Sequence, residues 1–96
     1  MYVKTYKTHK HFMVAVCDRE LIGQKLKNES CEISVSAAFY QGSEADAELV
    51  SNLLLSATTA NLIGKKAVTC AIDCGLIDED SVIYFDEIPH VIYVTI

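Results

Sequence analysis

Residues 57–78 form the stretch that most restricts how this 96-residue chain can fold. Apolar residues recur there at the spacing of an α-helix, and the pattern predicts a helix that Asn61 caps and that ends near Cys74. Gly75 then supplies the left-handed residue that follows a helix. Gly64 either breaks or bends the segment. One buried stripe at the spacing i, i+3, i+4, i+7 consists of Ala67, Cys70, Ala71 and Cys74.

Segments with strand character lie at both ends of the chain, where β-branched and aromatic residues alternate with polar ones or run together. These segments cover residues 2–6, 11–17, 31–36, 81–85 and 90–96. Residues 91–96 have almost no polar break, so we expect this last strand to be buried on both faces, by helices on one face and by a sheet or a partner on the other.

A first helix is predicted after Ser43, which has the residue type of an N-cap, with Asp46 three residues later. Together the segments predict an α+β fold: a mostly antiparallel sheet built from both chain ends, with two central helices packed on one face. The length suits a single domain over residues 1–96.

Charge is divided unevenly along the chain. Residues 1–27 carry six basic and two acidic side chains, whereas residues 28–96 carry two basic and eleven acidic ones, for a net charge of −5. An acidic balance disfavours free nucleic acid as a general partner, although a local basic patch remains. With no apolar leader or membrane-spanning run, we expect a cytoplasmic protein whose four cysteines are reduced and mostly buried.

The common catalytic and cofactor motifs are missing. The chain has no Gly-x-Gly-x-x-Gly, phosphate loop, His-Glu-x-x-His or Cys-x-x-Cys pattern, so we expect no cofactor and no metal. Cys70 and Cys74 could place two thiolates on one metal, but their spacing coincides with the core stripe, which favours packing. The alternative chemistry is a Cys17 nucleophile beside Asp18, with His90 as its base.

The N-terminal hairpin is the strongest candidate for an interaction surface. Tyr2, Lys4 and Tyr6 would share one face of the first strand, and Lys7 and Lys10 follow in the turn. Aromatic rings interleaved with cations can stack on RNA bases and hold phosphates. The other interpretation is an edge strand that its lysines protect against unwanted pairing.

Several short motifs together resemble a known family. In this sequence they are Cys17-Asp18, Leu21-Ile22-Gly23, Asn61, Gly64, Gly75-Leu76-Ile77-Asp78 and Pro89-His90. The set is similar, in the same order over nearly the whole chain, to the archaeal family known as domain of unknown function 424. The resemblance implies that Asn61, Gly64 and His90 are characteristic positions, and it implies no activity.

We therefore expect a small non-catalytic binding module that docks on a protein or ribonucleoprotein, with RNA metabolism or translation as its setting. The alternative is a small enzyme or ligand-binding domain that uses Cys17, Asp18 and His90. A homo-oligomer formed through the C-terminal strand 91–96 is a third interpretation. The candidate binding residues are Tyr2, Lys4, Tyr6, Lys7, Lys10, Cys17, Asp18, Asn61, Gly64 and His90.

Overall fold

A computed structural model describes residues 1–95 of the chain and has an α+β architecture. The strands are β1 (Tyr2–Lys7), β2 (Phe12–Cys17), β3 (Lys25–Lys27), β4 (Glu32–Ser34), β5 (Ser43–Glu44), β6 (Thr59–Ile63), β7 (Ile83–Phe85) and β8 (Ile88–Val94). The helices are α1 (Ala37–Tyr40), α2 (Ala47–Ser56) and α3 (Lys65–Asp73), and short 3₁₀ turns cover Arg19–Leu21 and Glu79–Ser81.

Six strands form the main sheet, in the order β5-β1-β2-β6-β8-β7. Strands β2 and β6 are parallel, and every other neighbouring pair is antiparallel. Strands from both chain ends therefore meet on either side of β6. The mostly antiparallel sheet predicted from the sequence is confirmed, and β3 and β4 form a separate hairpin.

Both faces of the sheet have a core. Helices α2 and α3 cover one face, where they pack on side chains such as Val14, Leu62 and Val91. This confirms the prediction of two central helices on one side. The hairpin β3–β4 and the short α1 cover part of the other face, around Ala15, Cys17, Ile63 and other buried residues.

The predicted helix over residues 61–74 is wrong in its first part. Residues 59–63 form the central strand β6, so Asn61 lies inside a strand and caps no helix. Helix α3 begins only at Lys65, after Gly64, and Gly75 has the expected positive φ of 76°. The sequence Thr-Ala-Asn-Leu-Ile is short and apolar, and periodicity cannot distinguish a buried strand from a helical turn over such a length. Its pairing with β2 and β8 decides the outcome.

One smaller prediction is also wrong. Ser43 belongs to β5, and the cap of α2 is Asp46, whose Oδ1 accepts the Leu49 N–H at 2.9 Å. Helices cover one face of β8 as expected, whereas on the other face Ile92 and Val94 are 58% and 62% exposed in the single chain. Ile96, the last residue of the predicted strand, lies outside the described residues.

None of the helices within residues 1–95 has both the length and the apolar character needed to span a membrane.

Candidate functional site

Asp18 and Gly64 meet where β2 and β6 end side by side. The Asp18 side chain is only 3% exposed, and its two carboxylate oxygens accept the N–H groups of Lys66 at 3.0 Å and Ala67 at 2.9 Å. These donors belong to the first turn of α3, which has no partners for them within the helix. Asp18 therefore caps a helix that begins 47 residues later in the chain, at Lys65.

Gly64 makes this close approach possible. A Cβ atom at position 64 would lie 2.3 Å from Cγ of Asp18, which is far inside van der Waals contact. The φ of Gly64 is also +111°, a conformation that side chains disfavour. The predicted residues Asp18 and Gly64 are therefore brought together, and their contact joins the sheet to α3.

Cys17 is not placed as a nucleophile. Its side chain is 0% exposed, and its thiol donates to the backbone oxygen of Asp18 at 3.1 Å. Burial, with smaller contributions from the charges of Asp18 and Glu20, raises the pKa of the Cys17 thiol to about 12. The thiolate is the reactive form of cysteine, so this environment suppresses its chemistry.

A half-buried polar cluster of Tyr40, Asn61 and His90 lies on the sheet face that α1 partly covers. Oδ1 of Asn61 accepts the Tyr40 hydroxyl at 2.5 Å and lies 3.1 Å from Nε2 of His90. Because Oδ1 can only accept, the neutral His90 ring carries its proton on Nε2. Burial lowers the pKa of His90 and raises that of Tyr40, so both side chains are neutral at pH 7.

Cys17 and His90 do not meet. Both point to the same sheet face as Ile63, which pairs with Cys17 on one side and His90 on the other. Two strand spacings separate their backbones, about 10 Å. The hydrogen bond of His90 goes to Asn61 instead, and its ring packs edge-to-face on Phe85 at 5.9 Å.

The same sheet face is uncovered towards the far end of β8. Ile83, Ile92 and Val94 are 56%, 58% and 62% exposed. Register places Ile92 opposite Asn61 and Ile83 opposite His90, so the exposed side chains flank the polar cluster. We call Ile83, Asn61, His90, Ile92 and Val94 the open sheet face.

The N-terminal hairpin forms as predicted, with Tyr2, Lys4 and Tyr6 on one face of β1. Its rings and cations are partly engaged by α1, however. The Lys4 ammonium donates to the Ala38 carbonyl and the Tyr6 hydroxyl to the Phe39 carbonyl, each at 2.7 Å.

The remaining hairpin residues differ in exposure. Tyr6 also stacks on the Phe39 ring with centroids 5.5 Å apart, and Tyr2 is half-buried. Lys7 and Lys10 are exposed, and they provide the accessible positive charge of the hairpin.

Neither metal nor anion binding is favoured by the geometry. Within residues 1–95, no three His, Cys, Asp or Glu side chains gather around one point, and Cys70 is buried in the core beneath α3. A cavity of about 530 Å³ lies beside the N-terminal ends of α2 and α3. The carboxylates of Asp46 and Asp18 already accept hydrogen bonds from backbone N–H groups at these helix ends. Those N–H groups are therefore not free to bind an anion.

Two parts of this site could not be found from the sequence. Tyr40 carries no motif, and it joins the cluster only because α1 folds over the sheet. The alternation of His90, Ile92 and Val94 indicated one shared face, but exposure of that face depends on what packs against it.

Comparison with known proteins supports the fold and leaves the activity open. Residues 6–96 match the family model described as "Protein of unknown function (DUF424)". A crystal structure of an uncharacterized conserved protein from Methanopyrus kandleri is similar, with a TM-score of 0.78 and 22% sequence identity. The similarity covers 99% of this chain and 93% of that one, and at this identity it shows the fold alone. No curated protein matches the chain in sequence.

Replacing Gly64 by alanine should be among the most damaging single changes. The new Cβ would collide with Asp18 and force a disfavoured φ, so we expect a loss of about 3 kcal/mol or more in the free energy of unfolding. Gly75→Ala is the matched control, because Gly75 has a positive φ but no atom within 4 Å of the new Cβ, and it should cost about 1 kcal/mol. Urea denaturation measures both, and equal losses would contradict the contact described.

Alkylation should distinguish the four cysteines. Exposed Cys31 should react with iodoacetamide first and half-buried Cys74 next, with buried Cys70 and Cys17 last. We expect Cys17 to be slower than Cys31 by on the order of 100-fold or more, because burial suppresses both access and the thiolate. Mass spectrometry of timed samples gives the order, and labelling in urea provides the equal-reactivity control. A Cys17 that reacts first would restore the nucleophile hypothesis.

Stability should fall in mild acid through His90. Its folded pKa is lowered from 6.5 by burial, so the unfolded chain takes up this proton more readily. The contribution of neutral His90 to the free energy of unfolding is complete above pH 6.5. It is lost as the pH falls through 6.5 towards the pKa of His90 in the folded protein. We expect His90→Gln to lose less stability than the native chain between about pH 7.5 and pH 5 in urea titrations. His9→Gln, which removes a histidine from an exposed turn, is the matched control, and equal changes in the two variants would contradict the prediction.

Proposed function

Because this chain belongs to the DUF424 family of proteins of unknown function, whose name states no activity, we propose its function from geometry: it is a non-catalytic docking module that binds a protein partner through the open sheet face. The observation that carries this proposal is the side-by-side exposure of Ile83, Ile92 and Val94. Single exposed apolar residues are ordinary on protein surfaces, whereas an adjacent group on one face is typical of an interaction site.

The energetics support a protein partner. Completing the burial of these three side chains would contribute about 1 kcal/mol each to the free energy of binding, which suits a specific contact of moderate size. No charged residue lies within 88–95, so the β8 surface suits an apolar partner surface better than a phosphate backbone.

Asn61 gives this apolar surface a polar anchor. Its Oδ1 is occupied by Tyr40 and His90, whereas its Nδ2 donates to no acceptor within residues 1–95. The half-buried amide nitrogen is therefore free to donate to a carbonyl group of the partner. A central polar group of this kind fixes the orientation of an otherwise apolar contact.

The other expected functions have weaker support. An RNA or ribonucleoprotein partner in RNA metabolism or translation would use the basic hairpin, where α1 engages Lys4 and Tyr6 and leaves Lys7 and Lys10 accessible. An enzyme using Cys17, Asp18 and His90 would need a reactive thiol, but Cys17 is fully buried. Four free cysteines suit a reducing compartment, so we place the protein in the cytoplasm.

Self-association through β8 is the second candidate, and one observation favours it. Pro89 O accepts the Gly64 N–H and Thr95 N–H donates to Thr58 O, so the backbone groups of odd-numbered residues face β6. Those of Ile92 and Val94 therefore point to the opposite side, where β7 pairs only as far as His90. A second copy could add its own β8 there in an isologous contact.

The double substitution Ile92→Lys with Val94→Lys tests the proposed function. Both side chains are exposed, so we expect a change of no more than about 0.5 kcal/mol in unfolding free energy. Capture of the N-terminally tagged protein from a native lysate should recover a defined partner that ribonuclease treatment leaves bound. The double variant should recover it at least tenfold less.

Leu55→Lys is the control, because Leu55 is 66% exposed on α2, on the other side of the sheet. Equal recovery by the double variant would contradict the proposal, and a partner lost with ribonuclease would indicate RNA-dependent docking. Sedimentation of the purified chain distinguishes self-association: a dimer that the double variant converts to monomer would identify a second copy as the occupant.

A further inference from the structure

Strand β1 is paired over only part of its outer edge. Strand β5 covers it at Tyr2 and Val3 and no further. The chain reaches β5 from α1 through Gly42, which lies so close to β1 that an added Cβ would be 2.3 Å from the Val3 carbonyl oxygen. The part of β1 from Lys4 to Lys7 therefore forms an open edge of the sheet.

Two hydrogen bonds identify which backbone groups point outwards at this edge. Ala45 N–H donates to Met1 O at 2.8 Å on the outer side, and Thr8 N–H donates to His11 O at 2.8 Å on the β2 side. Because successive residues of a strand alternate, the N–H and C=O groups of Thr5 and Lys7 point outwards. Within residues 1–95, none of these four groups has a partner beyond β1.

Apolar side chains of α2 lie beside this edge. Leu49 and Leu53, one helical turn apart, line the groove with Phe12 of β2. Two adjoining cavities of about 340 and 400 Å³ follow the edge, and they share Leu53. Leu49 remains 44% exposed within the groove. We call this surface, between β1 and α2, the edge groove.

The charge beside the groove is positive. Lys4 and Lys7 line the two cavities, and no acidic side chain within the described residues does so. Lysine on an open edge strand is also a common protection against unwanted pairing. Protection against unwanted pairing does not, however, explain why the apolar side chains of Leu49 and Leu53 lie next to the unpaired backbone groups of β1.

We infer that the edge groove binds an extended acidic segment of a partner protein, which pairs with β1 as an added strand. The backbone of the segment would bond to Thr5 and Lys7, and its alternate side chains would point to the two faces of the sheet. Val3 packs in the core under α2 and α3, so the side chains of Thr5 and Lys7 point to the α2 side as well. Apolar residues of the segment would therefore face Leu49 and Leu53, and acidic ones would lie near Lys4.

A fluorescein-labelled peptide of seven alternating valine and glutamate residues is the probe. Fluorescence polarisation should show saturable binding to the full chain and at least tenfold weaker binding of the same peptide with lysine in place of glutamate. Leu49→Asp should weaken binding at least tenfold. Aspartate suits the first turn of α2, so the variant should remain folded. Leu55→Asp, on the same helix but outside the groove, is the matched control and should bind normally.

Charge reversal gives a second pair of variants. Lys7→Glu should weaken binding at least fivefold because it reverses one of the positive charges that line the groove and so weakens the attraction for the acidic peptide. Lys25→Glu, an equally exposed lysine of β3 on the other side of the sheet, should leave binding unchanged. Equal effects within either matched pair would overturn the inference, as would the absence of saturable binding.

Backbone methylation of the peptide separates strand addition from simple charge attraction. Along a strand, alternate N–H groups face the neighbour, so methylating one alternate set should abolish binding while methylating the other should not. The sensitive set is the valines if the peptide runs antiparallel to β1 and the glutamates if it runs parallel. Equal effects of both sets would overturn the inference.

The same titrations with labelled decauridylate test RNA, and tighter binding of that oligonucleotide than of the acidic peptide would also overturn the inference.

The edge groove and the open sheet face share no residue. Failure of one proposal therefore leaves the other standing, and the two sets of variants report on them separately.

Discussion

The carboxylate of Asp18 connects the end of β2 to the first turn of α3, and the arrangement of both layers depends on this contact. Two charge-assisted hydrogen bonds and the positive end of the helix act on one side chain. Removing the carboxylate would leave buried amides without acceptors, at a cost of about 1–3 kcal/mol for each unsatisfied group. Only glycine at position 64 leaves room for the Asp18 side chain. The path of the chain from β6 into α3 therefore depends on the position of β2.

This contact also determines which chemistry remains available. Asp18 is committed to a helix end, and Cys17 beside it is sealed in the core with a raised pKa. The neutral cluster of Tyr40, Asn61 and His90 orients side chains without presenting an acid or base to solvent. The accessible features are instead surfaces for contact: an apolar face on β8 and a basic, apolar-walled edge on β1. They lie on opposite halves of the sheet, so the two proposed contact surfaces do not overlap.

Several positions show how far local information extends. The hairpin of β1 and β2 was predictable because its apolar and β-branched residues fit a strand and no helix. The sequence marks Asn61 as a special position but predicts a helix cap there, since an amide before an apolar run suits a helix start as well as a strand. His90 and Asn61 were both singled out, yet no spacing in the sequence indicated that strands β6 and β8 would place them 3.1 Å apart. Tyr40 was missed because its role arises from a contact 21 residues away.

By itself, the sequence determined the α+β class, the two strands of the N-terminal hairpin, the end of α3 before Gly75 and the unusual character of Asn61, Gly64 and His90. These features follow from local conformational preference and from the alternation of apolar and polar side chains. The tertiary structure alone decided that 59–63 is a central strand, that Asp18 caps α3, and that Ile92, Val94 and the outer edge of β1 stay uncovered. Each of these outcomes depends on which segment lies beside another, and neither pairing nor exposure is encoded in a short stretch of chain.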